Sequence, residues 1–322
     1  MKNDKSPALA ADRAPIVLYS LDWPQDHRLF LTEKTLNLLR ENQAPWQKPW
    51  NPDADFAPFN PVSGLAYRGL NRLALIAMGL PDPRWVSFKQ ARAANLILRE
   101  KARALSVEFW RWSERVTIRS LDNLLDKSPA EPVTAMVEYA QPRVRYFSVY
   151  NYADLTDWRG APPPPRTRAK PKRDPTRLAE EIARKSGAAL SFDRAEGPFY
   201  SARADRIRLP PWDRFASTAA FFSAFFRELA RWTGHKTRLA REMGARGTEE
   251  RALEELRAQI ASWALSIDLG LAFVPARDSA SASQWIAIFL KRPYAFPLAV
   301  SAAERIKDYI LEISAVALDP LV

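Results

Sequence analysis

Residues 219–239 read AAFFSAFFRELARWTGHKTRL. Phe221, Phe225, Leu229 and Trp232 recur at intervals of three and four, so they share one side of a helix running from Ser217 to Trp232 and face a core. The same helix carries Arg227, Glu228 and Arg231. Arg227 and Arg231 are i and i+4 and repel one another unless acidic groups neutralise them. A second helix, Glu249 to Asp268, turns Leu253, Leu256, Ile260, Trp263 and Ile267 inward, and its Glu254 and Glu255 are available to join Glu228 in that neutralisation.

Outward from this helix pair, TRLAEEIARKSG reads as a helix ended by Gly187, followed by short strands around Leu190 to Phe192, Phe199 to Tyr200 and Arg206 to Leu209. A last helix is expected to open at a capping box of Ser301 and Glu304, making three helices after the strands. Upstream, APPPPRTRAKPKRDPTR (Ala161 to Arg177) joins a proline run to a basic run without apolar period, which predicts an extended linker. Before it, LTEKTLNLLREN reads as a helix capped at Thr32, and SFKQARAANLILR opens with Ser87 and Gln90 at capping-box spacing. VEFWRWSERVTIR, VTAMVEY and VRYFSVYNY then alternate as strands. The reading is α+β in two domains, 1–157 and 177–322, joined by a linker over 158–176; the second domain is mainly helical with a small sheet.

Composition narrows the function. The 322 residues are 47% hydrophobic, contain no cysteine and two histidines, His27 and His235, and carry a net charge of +11. Thiolate metal sites and disulfides are excluded, and imidazole chemistry is scarce. Residues 156–177 hold seven Lys and Arg against two Asp and Glu, and residues 1–155 hold 21 against 17. A positive excess in the first half and the connector fits a polyanionic partner, with simple solubility as the alternative. No signal peptide or membrane span is read, so the expectation is a cytoplasmic protein without a membrane partner.

The first half interleaves aromatic, basic and amide side chains in PWQKPW, FNPVSGLAYRGLNRL, RWVSFKQ and FWRW. Single-stranded nucleic acid is bound by such a mixture, because bases stack on flat rings while Lys and Arg follow the backbone. The candidate DNA-binding residues are Trp46, Lys48, Trp50, Asn60, Tyr67, Arg68, Asn71, Arg84, Trp85, Lys89, Arg99 and Lys101. Ordinary core packing is the competing account of each tryptophan, Trp110 and Trp112 included.

In zinc peptidases the pattern H-E-x-x-H sets two imidazoles one turn apart to hold Zn²⁺, and the glutamate serves as general base. Here the letters are Arg227-Glu228-Leu229-Ala230-Arg231. Around them stand Asp205, Ile207, Leu209, Pro210 and Phe215, then Trp232-Thr233-Gly234-His235, Arg238-Leu239 and Glu254-Glu255-Leu256 with Ala258. These resemble the C-terminal peptidase-like domain of the ArdC antirestriction proteins of conjugative plasmids. The first half is similar to the N-terminal single-stranded-DNA-binding domain of that family, also found in plasmid primases of the TraC type. It matches at Pro45, Trp46, Lys48, Pro49 and Trp50, at Pro58, Asn60, Gly64, Tyr67, Arg68, Gly69 and Asn71, and at Arg84, Trp85, Phe88, Gln90, Val149 and Asn151.

Three departures fall at the metal: both histidines are arginine, and Gln259 stands at the last acidic position of the second motif. Arginine has no lone pair for a cation. A fourth departure is LREKARA (Leu98 to Ala104), where relatives carry a glycine-containing basic turn; its lack of glycine suggests a helix extension. The resemblance implies a DNA-binding protein of a mobile element with an antirestriction role, a host restriction or defence protein as a further partner, and a catalytically dead site of Arg227, Glu228, Arg231 and Gln259 with no metal and no cofactor. Two rivals stand beside it: a metallohydrolase rebuilt from His235, Glu228 and Glu254, and a host-protein-binding module that uses the altered cleft.

Overall fold

The computed structural model describes residues 24–118, 133–157, 159–163, 173–193, 197–276 and 279–318, so most of the expected linker lies outside the described residues. Helix α1 (Pro24–Arg40) opens at a proline, whose fixed φ and missing N–H suit a first helical position. Thr32, expected as a cap, therefore lies inside the helix. Its hydroxyl sits 2.9 Å from the Arg28 carbonyl and 3.0 Å from that of Pro293.

After α2 (Gly69–Ala77), β1 (Trp85–Ser87) runs directly into α3 (Phe88–Ala93). The Ser87–Gln90 capping box is present: the Gln90 N–H donates to Ser87 Oγ at 3.3 Å and the Ser87 N–H to Gln90 Oε1 at 2.9 Å. The expected helix extension over Leu98 to Ala104 does not form. Asn95 takes a φ of 56°, which a short polar side chain tolerates, and the chain passes through β2 (Ile97–Leu98) into a turn closed by Ala102 N–H to the Arg99 carbonyl at 3.0 Å.

Strands β3 (Ala104–Ile118) and β4 (Val133–Asn151) make one long antiparallel hairpin, where the sequence pattern suggested three strands. The register steps from Arg111↔Arg143 to Ser113↔Glu138, a bulge that takes in Pro142, which has no N–H for the ladder. Sheet order is β1-β4-β3, and β2 pairs with β5 (Leu155–Thr156).

In the second half, α4 (Pro175–Lys185) is capped by Asp174 and followed by Gly187 at φ 74°. Strands β6 (Ala189–Phe192), β7 (Phe199–Ser201) and β8 (Arg206–Leu209) form a small sheet of order β6-β8-β7. Four helices follow where three were expected: α5 (Thr218–Trp232), α6 (Glu249–Leu269), α7 (Ser279–Lys291) and α8 (Ala295–Ser314). Ser301 and Glu304 lie within α8 and form no capping box, because the helix already begins at Ala295 with Pro297 in its first turn. The class is α+β, as expected. No described helix is long and apolar enough to cross a membrane.

One core runs through both halves. Leu36, Leu39, Ala44, Trp46 and Leu73 from the first half belong to the same buried cluster as the inner faces of α5, α6 and α8. Trp46 stacks on Phe296 with centroids 6.0 Å apart, and Trp50 and Phe273 exchange backbone hydrogen bonds of 3.0 and 2.9 Å. At this junction a buried ion cluster forms: Asp268 on α6 takes Arg72 of α2 at 2.6 Å and Lys307 of α8 at 2.5 Å, and both cations are 1% exposed. A Cβ on Gly69 would meet Glu304 Cγ at 3.2 Å, so glycine there lets α2 approach α8.

Burial alone would raise the Asp268 pKa, but Arg72 and Lys307 overcome it and hold the carboxyl below its ordinary value. The stability that this carboxylate contributes is therefore complete above the unfolded aspartate pKa of about 3.9 and is lost as pH falls through the lower folded value. Asp268→Asn leaves the buried Arg72 without a carboxylate and Lys307 with Glu304 alone, and should destabilise the chain by about 3–5 kcal/mol at neutral pH. Denaturation midpoints from pH 7 to pH 2 check this; wild type and variant should converge at the acid end, and the shared core should unfold in one transition rather than two.

Candidate functional site

Helix α5 delivers Glu228 into the interior, where it is fully buried. A desolvated carboxylate requires donors, and three reach it: the Tyr200 N–H of β7 at 2.9 Å, Arg231 Nη1 at 3.2 Å and Arg227 Nε at 3.2 Å. Arg231 also pairs with Glu255 of α6, whose Oε1 accepts from Gln259 Nε2 at 3.0 Å. Burial is the main influence lowering the Arg231 pKa; Glu228 opposes it, and Arg251 and Arg227 add to it. The two arginines thus occupy the centre as a salt-bridge network between α5, α6 and β7.

The surrounding motif residues build the frame. Glu254 is committed elsewhere, to Arg241 at 2.6 Å and Arg257 at 3.3 Å, and Arg241 also donates to Thr233 Oγ1 at 2.8 Å. Asp205 holds Arg238, whose guanidinium lies 3.7 Å from the centroid of Trp232. Arg238 hydrogen bonding is the main influence holding the Asp205 pKa below its usual value. A Cβ on Gly234 would meet Met243 Sδ at 2.5 Å, so the turn after α5 needs glycine for the returning loop to close. His235 Nδ1 lies 2.8 Å from Thr237 Oγ1, and His27 packs edge-on against Tyr146. His235, Glu228 and Glu254 therefore go to different partners. Among the described residues no group of three or more His, Asp or Glu is placed to hold a metal ion. The donor set here does not fit Zn²⁺ or another divalent ion, since arginines stand where nitrogen lone pairs are required.

The DNA-binding candidates separate by exposure. Trp46 and Trp85 are each 1% exposed and are core. Trp50 is half-buried against the common core. Asn60 closes a turn and pairs with Gln90 at 3.0 Å; Asn71 holds β3 through Glu108, donating to its carbonyl at 2.7 Å and accepting from its N–H at 2.9 Å. Tyr67 donates to the Trp85 carbonyl at 3.3 Å, and Arg84 pairs with Asp82 at 2.6 Å while lying over Tyr152. Lys48, Lys89, Arg99 and Lys101 are exposed, as is Arg68, which is bound to Glu304 and Asp308.

The structure adds a surface that the candidate residues omitted. On one face of the hairpin the register sets Phe109 beside Arg145 and Arg111 beside Arg143, with Phe147 next along β4. Phe109 is 52% and Phe147 43% exposed, with their rings edge-on at 6.1 Å. The i, i+2 spacing of Arg143, Arg145 and Phe147 was the available signal. On the other side, Trp110 is 42% exposed, and Arg28 lies 5.1 Å from its centroid. A cleft of about 860 Å³ runs from there to α8, lined by Arg28, Arg68, Asn71, Phe109, Trp110 and Arg305 along with Glu108, Glu304 and Asp308.

Comparison with known proteins follows the same division. Residues 25–150 match the N-terminal domain of anti-restriction factor ArdC, and residues 177–302 match a zincin-like metallopeptidase. Two DNA primases TraC of Escherichia coli are 33% and 34% identical over 87% of this chain, which spans only 26% and 19% of their length. An uncharacterized protein of Sinorhizobium fredii, y4eC, is 24% identical over 94% of this chain and 95% of its own. The metal-free crystal structure of the antirestriction ArdC protein from plasmid R388 superposes with a TM-score of 0.67 at 23% identity, covering 89% of this chain and 97% of that one. Its Mn(II)-bound form gives the same TM-score at 21% identity. The fold is thus a zincin-like domain packed on an ArdC-type N-terminal domain. The chain carries an ArdC-type N-terminal domain followed by a zincin-like domain.

Glu228→Gln withdraws the charge that balances Arg227 and Arg231 in a buried setting. The expected loss is about 3–5 kcal/mol, read from chemical denaturation. A change below about 1 kcal/mol would place the pair in solvent instead.

Proposed function

We propose that the chain is a single-stranded-DNA-binding protein of a mobile element that protects incoming DNA from host restriction, working in the cytoplasm, and that its zincin-like domain is a metal-free scaffold without peptidase activity. The observation that carries the loss of catalysis is the saturation of Glu228. A general base needs a lone pair directed at a metal-bound water, whereas this carboxylate faces two guanidiniums and a backbone N–H. The antirestriction role rests on the match to the ArdC N-terminal domain and on the likeness to the ArdC protein of R388, described as antirestriction. A host restriction or defence protein is a further partner on the same ground.

For DNA, one hairpin face supplies what a single strand requires: open rings at Phe109 and Phe147 with Arg111, Arg143 and Arg145 beside them, while Trp110 opens on the opposite face beside Arg28. Lys48, Lys89, Arg99 and Lys101 extend the positive surface over the same half, and Arg92 lies over the exposed ring of Phe88 at 6.0 Å. Duplex DNA keeps its bases stacked and gains little from such rings.

Binding titrations should favour single-stranded over duplex DNA and weaken with salt at a log-log slope of about −0.7 per phosphate neutralised. Phe109→Ala or Phe147→Ala should each cost about 1–3 kcal/mol of binding with the fold unchanged. Trp46→Ala should lower the melting temperature instead, because its ring is core. Equal affinity for duplex, or no response to the phenylalanine changes, counts against the hairpin as the binding face.

A further inference from the structure

Beside the salt-bridge network lies a cavity of about 590 Å³, bordered by α5 and the first turns of α6 and α7. Its charged lining is lopsided: Arg231, Arg246 and Arg251 face one carboxylate, Glu255, and Ser281 and Gln284 complete the polar wall. Glu255 is already bound to Arg231. Arg231 nevertheless keeps a buried Nε without a hydrogen-bond acceptor. Among the described residues Arg246 and Arg251 have no carboxylate partner. Positive charge gathered in a concave site without counter-charge is costly unless an anion shares it.

The backbone contributes to the same spot. Gly244, at φ 64°, presses the loop against the first turn of α6, and a Cβ there would lie 2.4 Å from the Arg251 nitrogen. Gly247 follows at φ 87°, and Thr248 caps the helix through Arg251 N–H at 3.2 Å. The positive end of a 21-residue helix thus opens beside the arginines. Glu249 in that first turn is drawn away to Lys291 and Arg292.

We propose that this cavity, beside the altered zincin motif, is an anion site for a terminal phosphate, carried by a mononucleotide or by the end of a DNA strand. A tetrahedral dianion accepts hydrogen bonds from several guanidiniums at once, whereas a divalent cation is repelled by them. The volume suits a ligand of mononucleotide size. The inference rests on the metal-free reading of the centre.

The test uses the full chain at constant ionic strength, titrated calorimetrically with inorganic phosphate, thymidine 5′-monophosphate, and one oligonucleotide with a 5′-phosphate or a 5′-hydroxyl. Phosphate and the mononucleotide should bind, and Arg246→Ala and Arg251→Ala should each weaken that binding about tenfold or more. Neither residue carries a side-chain partner among the described residues, so melting without anion should stay unchanged and separates lost binding from lost fold. A 5′-phosphate preference in wild type that vanishes in Arg251→Ala identifies the strand end as the source; binding of the small phosphates without that preference identifies a free ligand. Metal-free protein that ignores every phosphate, or wild type and variants that bind alike, overturns the anion site alone. Stoichiometric divalent metal in the same preparation overturns the reading beneath it.

Discussion

A carboxylate removed from water must have its charge answered, and Glu228 is the buried charge on which the second half of this structure turns. Its two oxygens are satisfied from β7 and from two arginines of its own helix, and Arg231 carries the network on to Glu255 of α6. Sheet and both helices are thereby tied to one atom group. In a zincin the compensating charge near this glutamate is a divalent ion. Here two guanidiniums supply the same two positive charges through covalently attached side chains. The arginines balance the buried carboxylates and offer no nitrogen lone pair where the zincin motif has imidazoles.

A second buried carboxylate plays the corresponding part between the halves. Asp268 draws Arg72 and Lys307 together, while Trp46 and Leu73 enter the core of the helical half. The half that carries the proposed DNA-binding hairpin is consequently packed on the zincin-like domain rather than merely linked to it. Arg68 reaches Glu304 and Asp308 on α8 from the same side, so the cleft beside Trp110 is formed by both halves. The helical half thus supports the first half through α2, while the base of the hairpin packs on α1, α2 and β1 through Leu105, Val107 and Val149.

Much of this was legible in sequence because it rests on local rules. The three-and-four spacing of Phe221, Phe225, Leu229 and Trp232 fixed α5, and the Ser87–Gln90 box marked the start of α3. The same rules misplaced Thr32 and Ser301, since a polar residue at cap spacing is silent about a helix that already began at a proline or nearly two turns earlier. The end of α3 was hidden because Asn95, rather than a glycine, supplies the left-handed residue that follows the helix. At the site, the arginine substitutions were visible, but Glu255 and Glu254 could not be told apart. Which of two adjacent carboxylates points at Arg231 depends on the rotation of α6 against α5. The tryptophans of the first half looked like stacking platforms, yet burial of Trp46 by Phe296 is a contact across about 250 residues.

We propose that paired charges stand where the zincin motif would hold a metal ion. Metal analysis of wild-type protein purified without chelator from zinc- and manganese-supplemented cells tests it most directly, with the triple variant Arg227→His, Arg231→His and Gln259→Glu prepared alongside. Wild type should contain no stoichiometric metal, and the triple variant should acquire it. Stoichiometric metal in wild type, lost in Glu228→Gln or His235→Ala, would contradict it.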